Sequence, residues 1–363
     1  MSDVCGDVQM KEFGKGIRVV DIPVNYSEGG IRPILGCISY TLLLFTWGVS
    51  ILIPVALAYW LFYGNWNMVL FLSTIILVPI MFNWHDNVPG LVKHFSNLLT
   101  GDIHHWTGPG KIIIEDPDFE SNSKQLLCLH PHGIFGIGSM YIIISGIFPR
   151  LHLVVTESLV WLQPIISLIL NSAVKLRGAS HLSFRKAMQR QEGPLMIFPG
   201  GFHETILLDW GKDSVYIEKR FGFIKYCLRY NYSIRPVYVF GECLSFHQLQ
   251  YFKRLRWLLN DFSLPSVVFC GETWWNPLLP VRNVPYLIVI GKPIRLDSTE
   301  MSQNDSASNG GPSRELVRKY HSLYIQNLQR IFTKYSPYYE SIFSGNPILE
   351  RYLKTKYNQL QIE

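Results

Sequence analysis

The sequence predicts an α/β domain, a sandwich around a mostly parallel sheet, preceded by an N-terminal hydrophobic membrane hairpin. Three observations carry this. Short apolar runs of strand type alternate with helical stretches from about residue 111 onward. No Asp, Glu, Lys, Arg or His occurs from Pro33 to Trp84, whereas a spanning helix needs only about 20 apolar residues. Charged residues make up 17% of the chain, against about 25% in an ordinary soluble domain. With 48% hydrophobic residues, wholesale disorder and collagen-like sequence are excluded. The net charge of +6 suits an anionic membrane surface or ligand and does not point to nucleic acid.

Taken in order, residues 1–32 read as a polar tail and residues 33–84 as the hairpin. Gly64-Asn65-Trp66-Asn67 has turn composition, so two helices are expected, over about residues 34–63 and 68–84, with Pro79 as a kink. Trp60, Trp66 and Trp84 suit interfacial positions. The hairpin either spans twice or re-enters one leaflet, and both put residues 1–32 and 85–363 on the same side. The polar lead is too long for a signal peptide. Lys11, Lys15, Arg18 and Arg32 precede the run, Lys93 and Lys111 follow it, and the turn has no basic residue, which places both flanks in the cytosol. The sequons at Asn25, Asn231 and Asn304 would then go unused. Six scattered cysteines without a C-x-x-C pair read as reduced thiols.

Residues 85–110 read as a connector rich in His, Trp and Gly. Strands are expected at 111–115, 125–130, 152–156, 195–198, 233–240 and 286–291, several apolar enough to be buried on both faces. Helices are expected at 184–191, 220–231 and 245–262. Residues 298–314, rich in Ser, Asn and Gly, read as a mobile surface loop. A final amphipathic helix follows over about 314–335, with Leu316, Tyr320, Leu323, Tyr324, Leu328, Ile331 and Phe332 on its apolar face. The apolar stretches 134–148 and 159–170 read either as buried core or as a hydrophobic mouth against the bilayer.

Three short motifs carry the chemistry. The first is His130-Pro131-His132-Gly133, at the end of an expected buried strand. Functional residues collect at such strand ends, and a neutral imidazole there can act as a general base. The same pair also has the look of metal ligands. The second is Gly200-Gly201-Phe202-His203-Glu204. The glycines offer backbone N–H groups to a developing oxyanion, and Glu204 can orient and charge-stabilise a histidine. His203 inside this motif, and Glu157 after a strand end, are lesser candidates. The third is the basic stretch of Lys219, Arg220, Lys225 and Arg229, with Gly222 inside it. It is either a solvated helix face or a polyphosphate site, such as coenzyme A would fill.

Together and in this order, behind a hydrophobic hairpin, the motifs resemble the type-2 diacylglycerol acyltransferase family, which includes monoacylglycerol and wax-alcohol acyltransferases. The resemblance rests on His130-Pro131-His132-Gly133, on Gly200-Gly201 with Glu204, on Arg220-Phe221-Gly222-Phe223 and on Phe240-Gly241-Glu242. It covers about residues 125–340. Cys243 stands where the family's F-G-E-N block has Asn, and Phe198-Pro199 precedes the glycine pair. No Asp follows the histidines at H-x-x-x-x-D spacing, so the carboxylate must come from elsewhere, which favours Glu204.

The resemblance implies an acyltransferase-like sandwich and acyl transfer from acyl-CoA to diacylglycerol, with monoacylglycerol or a wax alcohol as alternative acceptors. It implies His132, with His130, as base and Glu204 as its charge partner. It implies Gly133, Gly200 and Gly201 as oxyanion donors, and Lys219, Arg220, Gly222 and Lys225 as the acyl-CoA site. No cofactor and no metal are expected, acyl-CoA being a substrate. Membrane and lipid partners are expected, nucleic acid is not, and a homo-oligomer stays open. Residence in the endoplasmic reticulum membrane with both termini cytosolic is expected, with lipid-droplet association as a further possibility. Among rival readings, a lipid hydrolase lacks G-x-S-x-G, and a metal enzyme lacks H-E-x-x-H spacing. A non-catalytic lipid-binding protein on the same fold is the remaining alternative.

Overall fold

The computed structural model describes residues 11–12, 17–22, 31–84, 86–100, 102–116, 118–121, 124–261, 266–273, 275–297, 311–354 and 360–363. The chain forms two compact units. The first comprises residues 1–24, 107–149 and 196–363, and the second residues 25–106 and 150–195.

The first unit is built on a mixed sheet. Its strands run in the order Lys11–Glu12, Arg18–Ile22, Gly110–Ile114, Tyr286–Ile290, Ser233–Phe240, Gln125–His130 and Leu195–Ile197. Gly110–Ile114 pairs in parallel with Tyr286–Ile290, and Gln125–His130 with Ser233–Phe240. Tyr286–Ile290 is antiparallel to Ser233–Phe240, and Arg18–Ile22 to Gly110–Ile114. Parallel pairs predominate among the strands expected from the sequence, and Tyr286–Ile290 against Ser233–Phe240 is an antiparallel exception. A strand with apolar residues at every position buries both faces, and Leu126, Leu127, Cys128 and Leu129 are fully enclosed. Helix Arg314–Ile342 covers Ser233–Phe240, with Phe332 stacked on Phe240. That helix runs past its expected end, through Pro337, because Tyr339 is buried and donates to the Pro285 carbonyl at 2.9 Å. Residues 298–310 of the expected mobile loop lie outside the described residues.

Three further expectations change. Arg18–Ile22 joins the sheet, so the N-terminal segment is more than a tail. The stretch 245–262 is not one helix. His247–Gln248 pairs with Phe269–Cys270, and the helix begins only at Lys253. Nothing local forbids helix at 247–248, and pairing with a distant segment overrides propensity. Residues 85–110, read as a connector, contain helix Gly90–Thr100.

The second unit holds the apolar segment as helices Ile31–Tyr63 and Trp66–Met81, which pack on each other. Asn65 caps the second helix, its side chain accepting from the Met68 N–H at 3.3 Å. The first helix has 33 residues and is long and apolar enough to cross a membrane. The second has 16 residues, about 24 Å of helix at 1.5 Å per residue. That falls short of the roughly 30 Å hydrocarbon core, so one helix rather than two meets the length of a span. Phe45, Leu52, Phe62, Leu70 and Phe71 point outward, a surface that suits hydrocarbon better than water. Strands His152–Val155 and Lys175–Gly178 pair in parallel within this unit. Lys175–Gly178 has no apolar run to announce it.

Candidate active site

The site lies in the first unit, where three neighbouring strands release the motifs at their C-terminal ends. Strand Gln125–His130 ends in His130. Strand Leu195–Ile197 leads into Gly200 and helix Gly201–Leu207, which carries Glu204. Strand Ser233–Phe240 leads into Gly241 and Glu242.

His130 and Glu204 form a completely buried pair, His130 Nδ1 standing 2.7 Å from Glu204 Oε1. A carboxylate accepts, so Nδ1 carries the proton and Nε2 the lone pair. Nε2 is buried without a hydrogen-bond partner among the described residues. The same carboxylate accepts the His132 backbone N–H at 2.8 Å and the Tyr216 N–H at 3.1 Å. Three donors on one buried carboxylate meet the condition for keeping charge away from water. Glu204 thus contacts the ring of His130 and only the main chain of His132. The sequence leaves open which of the two histidines Glu204 serves; the ring it meets is that of His130, because the strand end turns His130 inward.

His132 is partly exposed. Its Nδ1 lies 3.1 Å from the Gly133 carbonyl and 3.2 Å from the Thr205 hydroxyl. The carbonyl can only accept, which assigns the proton to Nδ1 and leaves Nε2 as the basic atom. The ring packs against Phe198 at 4.5 Å. Burial lowers its pKa below the ordinary histidine value, an effect the Glu204 carboxylate offsets only in part.

The glycines have distinct reasons. Gly133 has φ +63°, and a Cβ there would meet Glu242 Oε1 at 2.2 Å. A Cβ on Gly200 would meet the Glu204 carboxyl carbon at 2.7 Å. Gly201 does not offer a free donor, since its N–H is given to the Phe198 carbonyl at 3.1 Å. This corrects its assignment as an oxyanion donor and leaves Gly133 and Gly200.

Glu242 plays a part that the motif pattern does not disclose. It is buried and accepts from the Ile137 N–H at 3.0 Å and the Gly138 N–H at 2.8 Å. It therefore caps helix Ile137–Ile144, which begins right after the histidine turn. Burial raises its pKa to about 8, although both N–H bonds oppose the shift. The hints in the sequence are its place after a strand end and its membership of the Phe240-Gly241-Glu242 block, neither of which gives the capping role.

The basic stretch divides. Lys219 and Lys225 are exposed, and Gly222 opens helix Gly222–Tyr230 on the surface. Arg220 instead folds toward the glycine pair. Its Nη2 donates to His203 Nδ1 at 2.5 Å and reaches the Gly200 carbonyl at 3.5 Å. Glu157 does not join the site. It belongs to the second unit, where it accepts from Trp161 Nε1 at 2.7 Å and from the Ser180 N–H at 3.3 Å.

A family model described as "Diacylglycerol acyltransferase" matches residues 60–342. The mouse (Mus musculus) protein "Diacylglycerol O-acyltransferase 2-like protein 6" is 23% identical over 74% of this chain and 83% of its own length. The mouse "Acyl-CoA wax alcohol acyltransferase 2" is 23% identical over 80% of this chain and 90% of its own. "Diacylglycerol O-acyltransferase 1" of Schizosaccharomyces pombe is 27% identical over 64% of this chain and 68% of its own. No solved structure matches.

Proposed function

The chain belongs to the diacylglycerol acyltransferase family, and from that premise we propose that it transfers a fatty acyl group from acyl-CoA to diacylglycerol, giving triacylglycerol and free coenzyme A. The observation that carries the reading is the buried His130–Glu204 pair holding the main chain of His132. It fixes a partly exposed imidazole whose Nε2 is neutral and basic near pH 7.

In this mechanism His132 Nε2 takes the proton of the acceptor hydroxyl as its oxygen attacks the thioester carbonyl. The Gly133 and Gly200 N–H groups receive the oxyanion. The intermediate collapses by breaking the carbon–sulfur bond, and the thiolate leaves with the proton from His132. His130 and Glu204 are positioning residues. The phosphates of coenzyme A meet Arg220, Lys219 and Lys225. The apolar helices hold the enzyme where both acyl chains partition. Residence in the endoplasmic reticulum membrane with cytosolic termini, and passage to lipid droplets, belong to the same proposal. A fatty alcohol is the second acceptor reading, favoured by the wax alcohol acyltransferase that matches over most of its length.

The test uses membranes from a host lacking its own acyltransferases. Labelled oleoyl-CoA is supplied with diacylglycerol, monoacylglycerol or a fatty alcohol. Triacylglycerol is the expected product, and His132→Ala is expected to lower turnover by about 10²–10⁴-fold. His130→Asn keeps a donor toward Glu204 and is expected to lose less. A folded His130→Asn with no turnover, beside an active His132→Ala, would move the base to His130. Label in a wax ester alone would change the acceptor. No ester in any lane from an inserted, folded protein would leave a lipid-binding role.

A further inference from the structure

His203 lies one residue before Glu204 and takes no part in the mechanism above. Its ring stacks on Tyr216, with centroids 4.9 Å apart and planes 13° apart, and meets Trp257 edge-on at 4.8 Å. Its Nδ1 faces two donors, Arg220 Nη2 at 2.5 Å and Asn260 Nδ2 at 3.0 Å. A guanidinium never accepts, so at 2.5 Å Nδ1 cannot carry a proton and must present its lone pair. The proton of neutral His203 therefore sits on Nε2.

The consequence falls on Arg220. Its Cζ lies 5.1 Å from the centre of the Tyr216 ring, within cation–π range. Nη2 is committed to His203 and the Gly200 carbonyl. Nε is buried without an acceptor among the described residues, and no hydrogen bond is made by Nη1 among them. A free arginine side chain samples many rotamers. This one is held at both its face and one edge, with Nη1 left over. Tyr216 also gives its N–H to Glu204, so one short segment links the buried carboxylate to the guanidinium.

We propose that His203 is a positioning residue that presents Arg220 to the phosphates of the acyl donor, with Asn260 and Tyr216 completing the mount. The role rests on the acyl-CoA reading given above. An imidazole does this because its Nδ1 accepts in the plane of a ring that can also stack. An asparagine places its Oδ1 near the same point and preserves the acceptor without the stacking.

The experiment compares KM and kcat for two donors in native membranes. One is oleoyl-CoA. The other is oleoyl-pantetheine, which keeps the thioester arm and lacks the phosphates. The variants are His203→Ala, His203→Leu, His203→Asn, Asn260→Leu and Arg220→Ala. For His203→Ala and His203→Leu, KM for oleoyl-CoA is expected to rise about tenfold more than KM for oleoyl-pantetheine, the size of one charge-assisted hydrogen bond. His203→Asn is expected to recover most of that loss. Asn260→Leu is expected to shift KM in the same sense and to a smaller degree, and it serves if the alanine variant does not fold. If Arg220→Ala discriminates between the donors while the His203 variants do not, the role given to His203 is wrong and the phosphate reading stands. If Arg220→Ala itself does not discriminate, the phosphate reading fails and takes this role with it. An equal fall in kcat with both donors for His203→Ala would place His203 behind the catalytic pair and overturn the proposal.

Discussion

At the scale of single residues, His132 and Gly133 give the sharpest expectations. The base must be neutral to accept a proton. Because burial draws the His132 pKa down, the acidic limb of kcat/KM is expected below the ordinary histidine value of about 6.5. Turnover should therefore hold through pH 6.5 and fall only at lower pH. A limb at or above that value, measured with soluble acceptor analogues, would contradict the lowered pKa. Gly133→Ala is expected to fail for two reasons at once, its positive φ and the contact with Glu242. It should lose most turnover, and its loss of thermal stability is expected at about 1–3 kcal/mol. Glu204→Gln keeps the shape but removes the charge that three donors share. A turnover loss on the order of 10²-fold is expected, read beside a thermal melt that shows the fold retained.

At the scale of elements, two carboxylates hold helices in place by opposite electrostatics. Glu242 caps helix Ile137–Ile144 from inside the core, and its pKa is raised to about 8. A raised folded-state pKa means that the folded protein binds the proton more tightly. That contribution is complete below the unfolded value of about 4.3 and is lost as pH rises through about 8. Glu242→Gln removes the titration and should flatten the alkaline side of the stability profile. Glu115 does the reverse. Burial raises it, but bonds from Arg330, Lys334 and Tyr335 outweigh burial and hold it at about 2. Its contribution is present above about 4.3 and is lost as pH falls through about 2. These bonds fasten helix Arg314–Ile342 beside strand Gly110–Ile114. Glu115→Gln is expected to cost about 1–3 kcal/mol, less than a fully enclosed pair, because both cations are partly exposed. A chemical denaturation curve that does not move would refute the anchor.

At the scale of the whole molecule, the apolar segment is the feature to test for membrane placement. Helix Trp66–Met81 is too short to cross a bilayer without thinning it. With both flanks on one side, as proposed above, a second helix this short leaves the turn at Gly64–Asn65 within the bilayer, with helix Ile31–Tyr63 tilted rather than fully across. A glycosylation acceptor on a flexible spacer, inserted in that turn, should remain unmodified in microsomes. Modification there would show a hairpin that spans twice. In either outcome the protein should resist extraction by high salt and alkali, since its outward side chains are Phe, Leu, Ile and Val.

The sequence by itself determined a good deal. Uninterrupted apolar composition marks a helix that prefers hydrocarbon, and six strands that begin and end within a residue of expectation follow from apolar runs. His130, His132, Gly133, Gly200 and Glu204 were legible because each motif follows such a strand, and strand ends are where an α/β sheet gathers its chemistry. Only the tertiary structure decided which ring Glu204 meets, that the Gly201 N–H is already spent, and that Glu242 braces the histidine turn. Pairing of His247–Gln248 with Phe269–Cys270 and the entry of Arg18–Ile22 into the sheet were likewise settled there. The physical reason is the same in each case. Periodicity and composition report a residue's own preference for burial and for backbone shape. A hydrogen bond between residues 74 positions apart, such as His130 to Glu204, depends on how the strands are ordered in the sheet, and no local pattern encodes that order.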